Sequence, residues 1–359
     1  MWRDSATLSR EALQIAASPD SPNDLRVIRL SADGKFLAIA ERDEQRVLVL
    51  SADGALRRKF GAKGSGPGEF RSISGIAWLP NRSIIVRDMV LNRAIVFDSN
   101  GKAISQHSTP VGEMIGPRAV TVASNGSIFF GSTGPARNRT ETSHFEIYEF
   151  NGMSNEVGRT SIPLRLSTMC PTVRLTSPGN PVLGQAPAVI WTISKDGFLV
   201  AGCSAKYEFD VFQRNGKVMR IGRTYLAIRR PNAEREQIIT KFTTLMRAEI
   251  PSWAWSGPSV PANMPSYSAI FSALDGRFWI VTPRASVWVT NADGQGEWKS
   301  RWGFDLFAND GAYLGPVTIP IDLKLTVAPA ILGDTLWGAT ETETGATSLT
   351  KFILKIPNK

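Results

Sequence analysis

Residues 32–39 read Ala32-Asp33-Gly34-Lys35-Phe36-Leu37-Ala38-Ile39, a tight polar turn followed at once by an apolar run. An Asp-Gly or Asn-Gly pair beside apolar strands is a strong hairpin signal, because these residues accept the positive φ of a tight turn. The same phrase recurs. Pro80-Asn81-Arg82-Ser83 precedes Ile84-Ile85-Val86, Ser124-Asn125-Gly126-Ser127 precedes Ile128-Phe129-Phe130, and Lys195-Asp196-Gly197 precedes Phe198-Leu199-Val200. Leu274-Asp275-Gly276-Arg277 precedes Phe278-Trp279-Ile280-Val281, and Gly333-Asp334-Thr335 precedes Leu336-Trp337, which makes six copies.

A second alternating run follows each copy, usually ending in another turn with glycine. Val47–Leu50 leads to Asp53-Gly54, Ala94–Phe97 to Asn100-Gly101, and Ile147–Phe150 to Asn151-Gly152. Phe209–Phe212 leads to Asn215-Gly216 and Val287–Val289 to Asp293-Gly294, while Lys351–Leu354 runs towards the C-terminus. Each unit is a small antiparallel meander with two faces to bury. Stacking such units radially and closing the ring buries both faces. The expected fold is all-β: one six-bladed β-propeller domain over residues 1–359. The sixth unit has no sequence left for an outer strand. An N-terminal strand, expected over Glu11–Ala17, closes that last blade.

The copies are 48 residues apart from Phe36 to Ile84 but 80 apart from Phe198 to Phe278, so a large insertion, about 222–266, lies between blades four and five. Within it Asn232–Ile250 reads as an amphipathic helix, with Asn232 as N-cap, Glu234 and Glu236 in the first turns, and Pro251 beyond its end. Ile238, Phe242, Leu245 and Ile250, widened by Ile239 and Met246, form the apolar stripe. Trp253 and Trp255 follow in a proline-rich loop. Either the helix caps the ring and the Trp pack on it, or the lobe is a docking surface, since Trp and Arg are enriched at interface hot spots. On the second reading the partner-binding candidates are Trp253, Trp255, Arg223, Arg229 and Arg230. A further long connection, Arg159–Gln185, carries Pro163, Pro171, Pro178 and Pro181, with Pro187 just beyond.

The stretch Phe60-Gly61-Ala62-Lys63-Gly64-Ser65-Gly66-Pro67-Gly68-Glu69-Phe70 runs into Gly75–Trp78, Ile84–Asp88 and Asn92–Asp98. This resembles an NHL repeat. Arg3–Ala6 and Met264–Tyr267 are likewise similar to bacterial six-bladed propellers related to NHL proteins. The resemblance covers about fifty residues by motif and the other blades by architecture, and it implies the fold more than a function. Gly64, Gly66 and Gly68 lack the helix and Lys-Ser/Thr of a phosphate loop, so they read as a tight inter-blade turn. Asp88, Asn92 and Arg93 read as structural, bonding nearby backbone.

Some NHL-type propellers are zinc lyases, but only His107 and His144 are present, with no cysteines or paired carboxylates near them in sequence, and a zinc site needs at least three protein ligands. Calcium ligands of lactonase-like propellers could be sought at Asp88, Asp196, Asp210 and Asp275. Asp196 and Asp275 sit in the repeated turn, where Asp serves backbone geometry. No G-x-S-x-G elbow occurs. No catalytic, metal or cofactor residues are therefore assigned.

Hydrophobic residues make up 42% and charged residues 20%, ordinary for a globular domain, while the net charge of +9 favours anionic partners. Arg57, Arg58, Lys59 and the group Arg220, Arg223, Arg229, Arg230 are local concentrations. The two cysteines, Cys170 and Cys203, pair if the protein is exported or stay as buried thiols in a reducing compartment. Thiols are the expectation, because Met1–Arg10 lacks a signal-like apolar run, which points to the cytoplasm. A trimmed mature form would instead be periplasmic. No apolar run is long enough to span a membrane.

The leading functional expectation is a non-catalytic interaction or scaffold propeller, a peripheral accessory subunit of a larger bacterial assembly such as a respiratory or photosynthetic membrane complex. An enzyme or small-ligand binder with a central-channel site is the first rival, distinguished by tight metal or sugar binding. An RNA-binding NHL-type propeller is the second, distinguished by steep salt dependence. The basic residues are scattered rather than interleaved with aromatics, so nucleic acid ranks last.

Overall fold

The computed structural model describes residues 5–11, 24–111, 119–134, 144–152, 155–161, 170–290 apart from 172, 179, 180, 182 and 185, and then 294, 296–341 and 347–357. The chain opens with β1 (Ala6–Glu11). Blade one is β2 (Leu25–Leu30), β3 (Phe36–Glu41), β4 (Val47–Ser51) and β5 (Leu56–Phe60). Blade two is β6 (Ile73–Trp78), β7 (Ile84–Asp88), β8 (Arg93–Phe97) and β9 (Ala103–Ser108). Blade three is β10 (Val120–Val122), β11 (Ile128–Gly134), β12 (His144–Asn151) and β13 (Asn155–Ser161). Blade four is β14 (Val189–Ile193), β15 (Leu199–Cys203), β16 (Glu208–Phe212) and β17 (Val218–Gly222).

A helix, α1 (Asn232–Glu249), intervenes. Blade five follows as β18 (Ala269–Ser272), β19 (Phe278–Thr290), β20 (Gly296–Phe307) and β21 (Tyr313–Thr318). Blade six is β22 (Leu323–Lys324) and β23 (Ala330–Leu332), both paired to β24 (Thr335–Glu341), then β25 (Thr347–Lys355). Each of the first four blades is a separate four-stranded antiparallel meander in sequence order.

The inner strands are apolar at successive positions because both of their faces are buried. In blade one, Ala38, Ala40, Val47 and Val49 pack with Ile76, Ile84 and Val86 of blade two. Their alternates Leu37, Ile39, Leu48 and Leu50 pack with Trp337, Ala339 and Leu349 of blade six. A period of two thus sends neighbouring residues into different interfaces. Comparable clusters join blades two and three, three and four, four and five, and five and six. The ring is therefore closed. Outer strands face water on one side, as the exposed and half-buried Leu56, Arg57, Arg58 and Lys59 of β5 show.

The first hairpin turns take the geometry read from the sequence. Gly34 has φ +72°, and a Cβ there would lie 2.7 Å from Leu332 Cδ2 of blade six. In blade two Arg82 takes the left-handed slot instead, with φ +65°.

Closure uses β1. It pairs antiparallel with β25 from Thr7↔Lys355 to Glu11↔Lys351, and parallel with β21 at Ala6↔Val317 and Thr7↔Thr318. Ala6 and Leu8, 0% and 6% exposed, enter the cluster between blades five and six, and Lys351 Nζ reaches Glu11 at 2.6 Å. The closing strand lies earlier than Glu11–Ala17. Alternation of Ala6 and Leu8 with Thr7 and Ser9 is what fits the last blade, and residues 12–17 lie outside the described residues. The helix matches its expected span, but its cap does not. Pro231 is the N-cap, with no side-chain cap bond, and Asn232 is already helical.

Candidate functional site

Cys170 and Cys203 form a disulfide, with Cα atoms 5.4 Å apart, which corrects the expectation of thiols. Chain spacing gave no sign of it, because the pairing depends on Cys170, in the connection outside the repeat, meeting Cys203 at the end of β15. The bond ties that connection to blade four. The same connection packs on the second insertion: Thr176 N donates to Ser256 O at 2.8 Å, and Ser177 Oγ donates to Ala254 O at 2.7 Å and accepts from Ser256 N at 2.8 Å. The two irregular connections thus make one lobe.

Trp253 is fully buried in that lobe, its indole N–H donating to Pro178 O at 3.3 Å. Trp255 is half-buried. Phe242 of α1 meets both edge-on, at ring distances of 5.6 and 5.9 Å. Ile238 and Ile239 pack with Leu183, Ala186 and Val260. Leu245 does not share the stripe and is 66% exposed. Trp253 is therefore a packing residue and offers no contact surface, contrary to its reading as a docking group. Arg230 is likewise buried, its Nη1 donating to Pro261 O and Asn263 O at 3.3 and 3.2 Å, and burial lowers its pKa. Arg229 is exposed.

Arg223 sits under the lobe at the seam of blades four and five. Its Nη2 and Nε donate to the buried Asp305 Oδ2 at 2.6 and 2.9 Å, and Tyr207 donates to the same oxygen at 2.6 Å. The guanidinium lies 4.8, 5.6 and 5.2 Å from the ring centres of Tyr207, Tyr225 and Tyr313. Burial, with Asp305 beside them, pushes the Tyr207 hydroxyl far up and that of Tyr313 up to about 12. Such phenols stay protonated at neutral pH. The arrangement holds blades together rather than activating a proton donor.

What projects is the blade-five hairpin. The ladder of β19 and β20 runs from Phe278↔Phe307 to Thr290↔Gly296, with a shift between Arg284 and Val287. At 13 and 12 residues these strands are about twice the length of most others. Near the tip Trp288 meets Trp298 edge-on at 5.6 Å and is 55% exposed. Helix α1 braces this extension. Gln237 Nε2 donates to Trp298 O at 3.0 Å, and its Oε1 accepts from Trp298 N at 2.7 Å, so one amide caps the strand edge as a neighbouring strand would. Ser286 donates to the buried Glu234 at 2.8 Å, and Lys241 pairs with Glu297.

A second site lies on the ring axis. Turns between first and second strands link blade to blade. Ser124 N donates to Lys195 O at 2.7 Å, Lys195 N to Ser272 Oγ at 3.3 Å, and Leu274 N to Ile331 O at 3.1 Å. Inside this collar is a cavity of about 300 Å³ that all six blades line, mostly with apolar side chains, and that also contains Arg29. The sequence reading passed over Arg29. Its only signal was that of a second cation, besides Arg26, among the apolar Leu25, Val27, Ile28 and Leu30 of an inner strand.

The acidic residues weighed for calcium are committed elsewhere. Asp88 accepts from the backbone N–H groups of Arg71, Ser72, Val90 and Leu91 at 2.7–3.3 Å, and Asp210 holds Arg220 at 2.8 and 3.1 Å. Asp275 accepts from Arg277 N, and Asp196 pairs with Lys195. Arg93 donates to Gly66 O and Glu69 O at 2.9 and 2.7 Å, closing the glycine-rich turn as read. Among the described residues no group of three His, Cys, Asp or Glu could hold a metal ion, and no helix is long and apolar enough to cross a membrane.

Residues 25–155, blades one and two and most of three, match a family model described as a 6-bladed beta-propeller. No curated protein sequence matches the chain. Among solved structures, a member of the DUF4221 family from Bacteroides vulgatus is similar with a TM-score of 0.61, at 10% identity over 98% of this chain and 99% of that one. A putative exported protein from Bacteroides fragilis gives 0.54, at 11% identity over 98% and 95%. A streptogramin B lyase gives 0.45, at 13% identity over 97% and 98%. Six meanders, six buried interfaces and a last blade shared by the two ends of the chain lead to one description, in keeping with the NHL-related bacterial rings that the sequence resembles: the chain is a six-bladed β-propeller.

Proposed function

We propose that the protein is a non-catalytic interaction propeller, whose ring is a rigid frame and whose lobe over blades four and five docks a protein partner. The observation that carries this reading is Trp288, 55% exposed near the tip of a hairpin that α1 holds rigid through Gln237. A large aromatic already fixed in place loses little entropy on binding, which is what an interface anchor needs. Leu226, 85% exposed, and Leu245 add apolar surface on the same insertion. The partner is an anionic or mixed surface on a larger bacterial assembly, in line with the net charge of +9, and the protein is an accessory subunit of that assembly at a membrane. The Cys170–Cys203 disulfide favours an oxidising compartment, so the proposed location is the periplasmic side rather than the cytoplasm.

The test is purification from solubilised native membranes, comparing the wild type with Trp288→Ala. A stoichiometric protein partner that the variant loses supports the proposal. Recovery of the wild type only as a free monomer, or a partner retained equally by the variant, refutes it. Because Trp288 is more than half exposed and its removal loses one ring contact, with Trp298, the variant should lose only about 1 kcal/mol of stability and stay folded.

A further inference from the structure

The collared cavity on the ring axis holds a charge that the fold does not compensate. The first strands of five blades can be aligned by the hydrogen bond that closes each following turn: Ser31 N to Phe36 O, Leu79 N to Ser83 O, Ala123 N to Ser127 O, Ser194 N to Phe198 O, and Ala273 N to Arg277 O. Two residues before these donors stand Arg29, Ala77, Thr121, Thr192 and Phe271, all lining the cavity. Where the other blades put small or apolar groups, blade one puts a guanidinium. Around it are Trp78, Leu79, Val122, Ile193 and Ile331.

Arg29 is half-buried, and the one hydrogen bond its guanidinium makes among the described residues runs from Nη1 to Ile28 O at 3.0 Å. A guanidinium carries five N–H donors, so most of its capacity stays open to the cavity. No described carboxylate pairs with it. Those of the collar are taken: Asp33 by Arg82, Asp196 by Lys195, and Asp275 and Asp334 by Arg277. Burial lowers the Arg29 pKa to about 10, the mark of a cation short of both water and counter-charge. It is still charged at neutral pH, and an unpaired charge partly withdrawn from water costs free energy unless something neutralises it.

We propose that this cavity binds a small monocarboxylate with an apolar body, an alkyl or aryl acid, its head on Arg29 and its tail against the apolar wall. One guanidinium matches one planar carboxylate through paired donors. A dianion would bring a second charge that only Lys195, already paired with Asp196, stands near enough to meet. A volume of about 300 Å³ suits a ligand of some ten heavy atoms.

The experiment is calorimetric titration of the intact protein with octanoate, octanol and inorganic phosphate, repeated with Arg29→Gln and Arg29→Lys. Octanoate should bind the wild type, at least tenfold more weakly to Arg29→Gln, and with partial recovery in Arg29→Lys. Octanol should bind no better than octanoate binds Arg29→Gln, and phosphate should not displace octanoate. The melting temperature of each variant without ligand verifies that it is folded. Absence of octanoate binding to the wild type, equal binding to a folded Arg29→Gln, or equal binding of octanol or phosphate would overturn the proposal.

Discussion

Blade two and the lobe over blades four and five are both held by side chains bonded to backbone, yet they differ in what those bonds join. In blade two, Arg87 donates to Ala119 O and Pro110 O at 3.0 and 2.8 Å and also to Gly131 O, and Asp88 and Arg93 cap the turns beside it. These carbonyls belong to the next blade or its approach, which the repeat brings alongside. In the lobe, Arg235 reaches Val260 O at 2.7 Å, Arg247 reaches Trp253 O at 2.8 Å, and Ser177 reaches segments 77 and 79 residues away. No repeat places these partners. The ring thus has many equivalent supports, whereas the lobe rests on one small apolar cluster, a disulfide and a few single bonds. A surface that varies without unfolding the frame belongs on the second kind of structure.

That contrast can be broken most forcefully in blade two. Arg87→Ala removes a buried guanidinium and leaves three carbonyls without their charged donor. Hydrogen bonds to charged groups contribute about 1.5–3 kcal/mol each and are not additive, so a loss of about 4 kcal/mol is expected, read from the denaturant midpoint at unchanged slope. Next comes the lobe's covalent tie. The disulfide closes a loop with a sequence separation of 33, and losing that constraint is worth about 3.7 kcal/mol in the chain-entropy account. Reduction, or paired Cys170→Ser and Cys203→Ser, should expose 170–186 to proteases while the blades stay resistant. Cleavage spread evenly over the ring would erase the distinction.

Leu8→Ala should cost about 2 kcal/mol, because Leu8 is one of two buried anchors of β1. The smallest effect is at Gln237→Ala, about 1 kcal/mol for a strand-edge amide. It should appear as faster hydrogen exchange at Trp298 with no change in the ring.

The ring was legible because a hairpin turn must be written locally. Asp-Gly and Asn-Gly mark the positions where φ turns positive, and the apolar runs between them need no distant partner to be recognised. The closing strand was legible as a need but was placed at Glu11–Ala17, since only packing distinguishes Ala6 and Leu8 as the residues that enter the last interface. Trp253 and Arg230 read as surface groups by residue type, while their burial depends on Pro178, Pro261 and Asn263, far off in sequence or in an irregular loop. Arg29 escaped notice because one residue carries no pattern until the blades are superposed. The Cys170–Cys203 bond depended on where a loop outside the repeat returns.

Ring closure through β1 is measured most directly by native-state hydrogen exchange on the peptide covering residues 5–11. An outer strand held between β21 and β25 should exchange as slowly as β25 itself, and both should be released together in denaturant. Exchange of 5–11 at the rate of an unstructured peptide, with β25 still protected, would contradict the clasp.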